Sequence, residues 1–382
     1  MEVTLILPHD FRFSQWSVQD FIDRYHFSKQ YLETLEKRGI KASLYCLHQS
    51  ISETYNVNNI FFYPIDFRLP PLVKFGNDFS IRLMEELPRN KSDICHVFNY
   101  YVWCYPWLIN RLNSSKIPVI AQFHGTVDNF STYKLILFRH LFRKTNLFLT
   151  PFVSEAVKLA KTLKISFKKI KLFPNVGVSL EIFKPYDKSP DPTILYVGRF
   201  PNNVGSKWEK NPFLVIRLFE ILRKKIPQLK LLMVGDGPGL SKIMNYAKKN
   251  RFSRNVLFMG YIKYHCLPLL YSRAWLSIIP FYFPEMTYLW DGSLKESLAC
   301  GTPVVIFGDC FKLNRWGVML PYNNIDKFTE SIVAMLSHYE TYFDDVNYIR
   351  KMLAKVCSWE TISKRLIYLY EKIIEGNTIE GN

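Results

Sequence analysis

Two cations and one carboxylate stand out in the second half of this sequence. Arg199 follows the run Leu195-Tyr196-Val197-Gly198, Lys210 precedes Asn211-Pro212, and Glu296 lies in a short helical stretch, Gly292–Cys300, that Gly301-Thr302-Pro303 stops. Arg199 and Lys210 suit a diphosphate, because charge-assisted hydrogen bonds contribute about 1.5–3 kcal/mol each. The backbone amides of Gly292, Ser293 and Leu294 open the Glu296 helix, and an open helix N-terminus attracts phosphate through its unpaired N–H groups and dipole. Glu296 can accept hydrogen bonds from a ribose diol. A fourth stretch, Val234-Gly235-Asp236-Gly237-Pro238-Gly239, is a tight turn after a strand, too late in the chain for a dinucleotide fingerprint. Taken singly, each piece is ordinary: a turn, a solvated lysine, one more helix. No Asp-x-Asp occurs, so a metal-held diphosphate is not implied and no metal ligand or cofactor is assigned. Arg199, Lys210 and the helix end are expected to neutralise a leaving group instead.

The first half offers less. His124 follows a strand end, and a lone histidine is more often structural than functional. Residues Tyr133 to Lys144, YKLILFRHLFRK, interleave Leu135, Ile136, Leu137, Phe138, Leu141 and Phe142 with Lys134, Arg139, Arg143 and Lys144. The stretch reads either as a core helix with a solvated basic face or as a helix lying on an anionic membrane surface.

These residues need scaffolds, and the chain alternates strand and helix throughout. Strands are expected at Val3–Leu7, Ala42–Leu47, Ile60–Ile65, Ile94–Phe98, Pro118–Phe123, Leu147–Thr150 and Ile170–Phe173. A helix runs over Val18–Arg38, another near Pro106–Asn113, and Ser154 is the N-cap of a third. Residues 176–192, with three prolines, read as a linker between domains over 1–175 and 193–357. The second domain has strands at Ile194–Val197, Leu229–Val234, Val256–Met259, Leu276–Ile279, Val304–Phe307 and Val318–Leu320, with helices between them. The end is helical: Asp326–Ser337, Phe343–Val356 and Trp359–Ile374. Two α/β, doubly wound domains of this kind place a crevice at the carboxyl ends of their sheets, where ligands bind.

Length and composition agree. The chain has 382 residues, enough for two cores, with 48% hydrophobic and 22% charged residues. Lys and Arg outnumber Asp and Glu by 50 to 33, a net charge of +17 that favours an anionic partner. The seven cysteines are scattered without a C-x-x-C pair, which speaks against a disulfide framework or zinc site and for a reducing, cytoplasmic location. Met1 leads almost at once into a strand pattern, and neither a signal peptide nor a transmembrane run is expected.

Read together, the second-half motifs resemble the retaining glycosyltransferases of family 4, which have the GT-B fold of two Rossmann-like domains. The resemblance runs through Val197-Gly198-Arg199, Lys210, Val234-Gly235-Asp236-Gly237-Pro238, Asn255-Val256-Leu257-Phe258-Met259-Gly260 and Glu296-Ser297-Leu298-Ala299-Cys300-Gly301-Thr302-Pro303-Val304-Val305. It covers about residues 170–375 and is thinner before them, resting there on Asp93-Ile94-Cys95-His96 and His124-Gly125-Thr126. Ser358-Trp359-Glu360 is similar to the start of the family's last helix, over 358–382, which crosses back onto the first domain. The resemblance implies that Arg199 and Lys210 hold the donor diphosphate, with Lys207 the alternative to Lys210. It implies that Glu296 contacts the donor ribose and that His124 touches the sugar. The first acid of the family's Glu-x7-Glu motif falls on Tyr288, leaving Glu285 or Asp291 to replace it, and the family's glycine before the helix falls on Asp291. The expected partners are a nucleotide-sugar, an acceptor glycan or lipid-linked saccharide, and an anionic membrane surface, with no nucleic acid. The rival readings are a nucleotide-sugar epimerase on the same fold, for which no acid–base set is evident, and a basic nucleic-acid-binding protein. The second rival lacks zinc spacing, a helix-turn-helix or an aromatic-basic strand.

Overall fold

The computed structural model describes residues 1–9, 16–49, 51–68, 78–89, 91–125, 132–202, 210–250, 252–280, 289, 291–307, 318–320, 325–338 and 346–377. Two compact units emerge: Met1–Asn175 with Trp359–Asn382, and Val176–Ser358.

The strands of the first unit are β1 (Glu2–Leu7), β2 (Lys41–His48), β3 (Tyr55–Val57), β4 (Ile60–Pro64), β5 (Phe67–Arg68), β6 (Asp78–Phe79), β7 (Ile94–Phe98), β8 (Val119–Gln122), β9 (Leu147–Thr150) and β10 (Ile170–Leu172). Among the described residues eight of them form one sheet in the order β10-β9-β8-β7-β1-β2-β4-β3, and β5 pairs with β6. Neighbours in the large sheet run parallel except β3, which turns back antiparallel on β4. Helices cover both faces of such a sheet, so its central strands are apolar on both sides: Val3, Leu5, Ile6 and Leu7 are fully buried. The last helix, Trp359–Ile374, belongs to this unit. Trp359 meets Tyr31 edge-on at 5.0 Å, and Tyr370 shares a 2.7 Å hydrogen bond with His96 Nδ1.

The second unit has β11 (Thr193–Val197), β12 (Lys230–Val234), β13 (Val256–Gly260), β14 (Leu276–Ile279), β15 (Val304–Phe307) and β16 (Val318–Leu320), all parallel, in the order β13-β12-β11-β14-β15-β16. That is the doubly wound order, whose switch point lies between β11 and β14. The helix Pro212–Lys225 illustrates how sequence sets an element. Asn211 caps its start by accepting the Leu214 N–H, Pro212 fits the first turn, and Arg223, Lys224 and Lys225 meet the negative end. Its Val215, Ile216, Leu218, Phe219 and Leu222 pack on Ile194, Leu231 and Met233 of the sheet.

Three expectations change. The single helix over Val18–Arg38 is two, Val18–Asp23 and Phe27–Glu36. Arg24 turns extended, His26 caps the second helix, and Lys29 Nζ collects the carbonyls of Phe21, Ile22 and Arg24 that the first helix leaves open. Ser154 is not an N-cap: the helix Val153–Leu163 starts two residues earlier than that cap would allow, with Phe152 at the cap position and no side-chain cap bond. Residues 176–192 are strapped to the second unit rather than spanning free. Val178 N–H donates to Cys357 O at 2.9 Å, and Trp275 Nε1 donates to Ser189 O at 2.7 Å.

Candidate functional site

The residues following β11 and β12 run side by side. Gly198 N–H donates to Val234 O at 3.0 Å, and Phe200 N–H donates to Asp236 O at 2.9 Å. This approach needs Gly235, whose φ is +127° and where a Cβ would stand 1.9 Å from Gly198 O. The glycine-rich turn is thus first a packing device, with Asp236 partly buried upon it. Gly198 serves Lys210: a Cβ there would come within 2.9 Å of Lys210 Cδ, so the bare backbone lets the lysine stem cross the strand end. Arg199 is exposed at this corner, and its carbonyl accepts from Tyr196 Oη at 2.6 Å.

Lys210 Nζ donates to Val197 O at 3.1 Å and to Ser293 Oγ, and lies 3.5 Å from Asp291 Oδ2. The cation is therefore brought to the amino end of the helix Gly292–Ala299. That end is not open, contrary to the expectation. Asp291 is its N-cap and accepts from Leu294 N–H at 2.8 Å and from the Ser293 hydroxyl at 2.5 Å. A capping carboxylate satisfies an orphan amide and suits the helix dipole, which explains why the chain folds this way here. Asp291 is thus engaged at the cap, while Lys207, Glu285 and Tyr288 lie outside the described residues.

Glu296 sits one turn on and is buried, with Oε2 accepting from Tyr271 Oη at 2.9 Å. Burial raises its carboxyl from the ordinary range to about 7. Asp291 adds to the rise, while the Tyr271 hydrogen bond, Lys210 and Lys295 oppose it. Two residues that the sequence reading passed over hold this helix. Lys295, fully buried, donates from Nζ to Val176 O and to Leu289 O, and burial lowers its pKa. Arg350 reaches in from the helix Val346–Val356 and donates to Ala299 O at 2.5 Å, Phe183 O at 2.6 Å and Leu180 O at 2.8 Å, so it caps the far end of the Glu296 helix. Neither carries a motif; the available signal was a basic residue among apolar ones at helical spacing.

In the first unit His124 follows β8, stacks on Phe27 at 4.2 Å and meets Phe98 edge-on at 5.4 Å. Burial, with His96, His9 and His26 adding to it, pushes its pKa well below the ordinary value, which favours the neutral ring. The segment YKLILFRHLFRK forms two short helices, Thr132–Leu137 and Arg139–Phe142. Leu135 and Phe142 belong to the core, whereas Ile136, Leu137, Arg143 and Lys144 are exposed. Among the described residues no His, Cys, Asp and Glu side chains group to hold a metal ion, and no helix is long and apolar enough to cross a membrane.

Two family models match the chain: "Glycosyltransferase Family 4" over residues 28–181 and "Glycosyl transferases group 1" over residues 179–352. A poly(glycerol-phosphate) alpha-glucosyltransferase of Bacillus subtilis is 25% identical over 172 residues, 42% of this chain and 25% of that protein. An alpha-monoglucosyldiacylglycerol synthase of Streptococcus pneumoniae is 32% identical over 109 residues, 28% of this chain and 23% of that protein. The chain thus spans about a quarter of the length of each of these two relatives. Among solved structures, Anabaena HepE in complex with UDP-glucose superposes with a TM-score of 0.69 at 12% identity, covering 97% of this chain and 100% of that one.

Proposed function

Because the chain belongs to the group 1, family 4 glycosyltransferases and has their GT-B fold, we propose that it transfers a sugar from a nucleotide-sugar donor to an acceptor hydroxyl. The carrying observation is the convergence of Lys210 on Ser293 and Asp291 at the head of a helix whose Glu296 is buried against Tyr271. In this reading Arg199, Lys210 and the amides of Gly292, Ser293 and, once Asp291 gives it up, Leu294 hold the diphosphate, with the turn at Gly235 and Asp236 beside it. Glu296 accepts from the ribose hydroxyls. As the bond from the anomeric carbon to phosphate breaks, charge develops on the leaving oxygen, and fixed cations already aimed there stabilise it. The bond to the acceptor oxygen forms, and its proton passes to the leaving phosphate. Departure and attack on one face give retention. These cations do the neutralising, so no metal is required. His124, held neutral, contacts the sugar without serving as a base. The complex of HepE with UDP-glucose supports a nucleotide-sugar donor.

The acceptor in this reading is a glycan or a lipid-linked saccharide, met at the cytoplasmic face of an anionic membrane through Ile136, Leu137, Arg139, Arg143 and Lys144. The name of the pneumococcal relative supports that setting. A thermal-shift panel of nucleoside diphosphates and nucleotide sugars tests the donor site, since a ligand of the folded state raises Tm. At least one should do so in the wild type, and Arg199→Ala and Glu296→Ala should each lose the shift and the transfer activity. A panel with no shift, or turnover near wild type in either variant, refutes the assignment.

A further inference from the structure

Asp291 lies where an anionic ligand of this site would place its own oxygens. Oδ1 takes the Leu294 amide and the Ser293 hydroxyl, and Oδ2 faces Lys210 Nζ at 3.5 Å. The two side chains are only 9% and 13% exposed, so their charges are screened less than a surface pair would be. A neutral cap would hold the helix equally well, since asparagine and serine rank with aspartate at this position. The negative charge therefore has a consequence beyond capping. It occupies the cation and the helix end that the donor's phosphates need, at a position where the family pattern carries a glycine. Asp291 also lies close enough to Glu296 to raise that carboxyl's pKa.

Resting on the donor-site reading above, we propose that Asp291 sets the affinity of the phosphate subsite: it is an internal anion that holds Lys210 in the empty protein and surrenders it when a nucleoside diphosphate enters. Lys210 exchanges one anionic partner for another, and the Asp291 charge left beside the bound diphosphate weakens its hold. The penalty grows with ligand charge, so it bears on a diphosphate more than on the matching monophosphate. The protein would thereby release its spent nucleoside diphosphate faster than a homologue with an uncharged residue here.

Isothermal titration of UDP, GDP, ADP and CDP, and of the four monophosphates, into the full chain tests this. The variants are Asp291→Asn and Asp291→Ser, both capable caps, with Arg199→Ala as reference. The diphosphate that binds wild type should bind the Asn and Ser variants at least tenfold tighter, the matching monophosphate should gain less, and Arg199→Ala should weaken the diphosphate. Unchanged or weaker diphosphate binding in whichever of the two Asp291 variants keeps the wild-type melting profile, alongside loss in Arg199→Ala, overturns the proposal and leaves the donor site standing. Equal gains for mono- and diphosphate overturn it too. If no diphosphate binds any variant at millimolar concentration, the donor-site reading falls and this proposal with it.

Discussion

Glu296→Gln isolates the buried carboxyl. Its pKa stands at about 7 against an ordinary 4.5, and burial is the largest cause. Each pKa unit is worth about 1.36 kcal/mol, so ionising this group in the folded state costs about 3 kcal/mol more than in the unfolded chain. The folded protein holds the proton more tightly than the unfolded chain does. The group's contribution is therefore fully present below pH 4.5, declines as pH rises towards 7, and is lost above that. Glutamine mimics the protonated acid at every pH and can still accept from Tyr271 Oη. Urea denaturation of both proteins between pH 4.5 and 8 should thus show the variant gaining about 3 kcal/mol relative to wild type across that window, or very roughly 6–12 °C in Tm for a unit of this size. The variant should meanwhile fail to show the rise in donor affinity through pH 7 that a ribose-accepting carboxylate gives wild type. Parallel pH curves for the two proteins would refute the reasoning, because they would mean that the carboxyl is solvated and not buried.

Gly235→Ala should abolish soluble expression or destabilise by roughly 3 kcal/mol or more, because its Cβ would strike Gly198 O; Gly260→Ala, with φ +64° and no atom within 4 Å, should cost only about 1–2 kcal/mol in the same melts. Arg350→Met should lose about 2–4 kcal/mol by urea denaturation, and Arg350→Lys should recover less than half of that, since one ammonium nitrogen cannot stand in both places from which Nη1 and Nη2 reach their carbonyls. Transfer should survive excess EDTA; loss restored by magnesium or manganese would move charge neutralisation away from Arg199 and Lys210. Wild type should float with anionic liposomes at low salt and sink at high salt, and replacing Lys134, Arg139, Arg143 and Lys144 with Gln should remove the binding, each cation contributing roughly 1 kcal/mol.

What sequence could reveal depended on whether a signal was local. Strands such as Ile94–Phe98 and Leu147–Thr150 are short apolar runs between breakers, and their limits agree with the structure. The helix after Asn211-Pro212 announces its own start. The break at Arg24 was not legible, because the side chain that stabilises it, Lys29, acts through bonds visible only once the chain has turned. The second-half motifs singled out Lys210 and Glu296, yet not the closure of the helix end by Asp291, since an aspartate before a helix reads alike whether or not a lysine reaches it. Arg350 was invisible for the same reason: its three partners are backbone carbonyls, which leave no trace in residue type.

The first unit is discontinuous, closed by Trp359–Asn382, whereas the second is the unbroken run Val176–Ser358. On the ribosome the order of synthesis therefore differs from the order of completion. The second unit has all its residues before the last helix emerges, while Tyr31 and His96 of the first, made early, wait for Trp359 and Tyr370 to cover them. From the completion of β10 at Leu172 until Trp359 emerges, the first sheet lacks its closing helix, and the apolar surface around Tyr31 and His96 is exposed to premature association. The final segment acts as a lock on a structure begun some three hundred residues earlier, and a chain that stops short of it carries a finished second unit joined to an unfinished first.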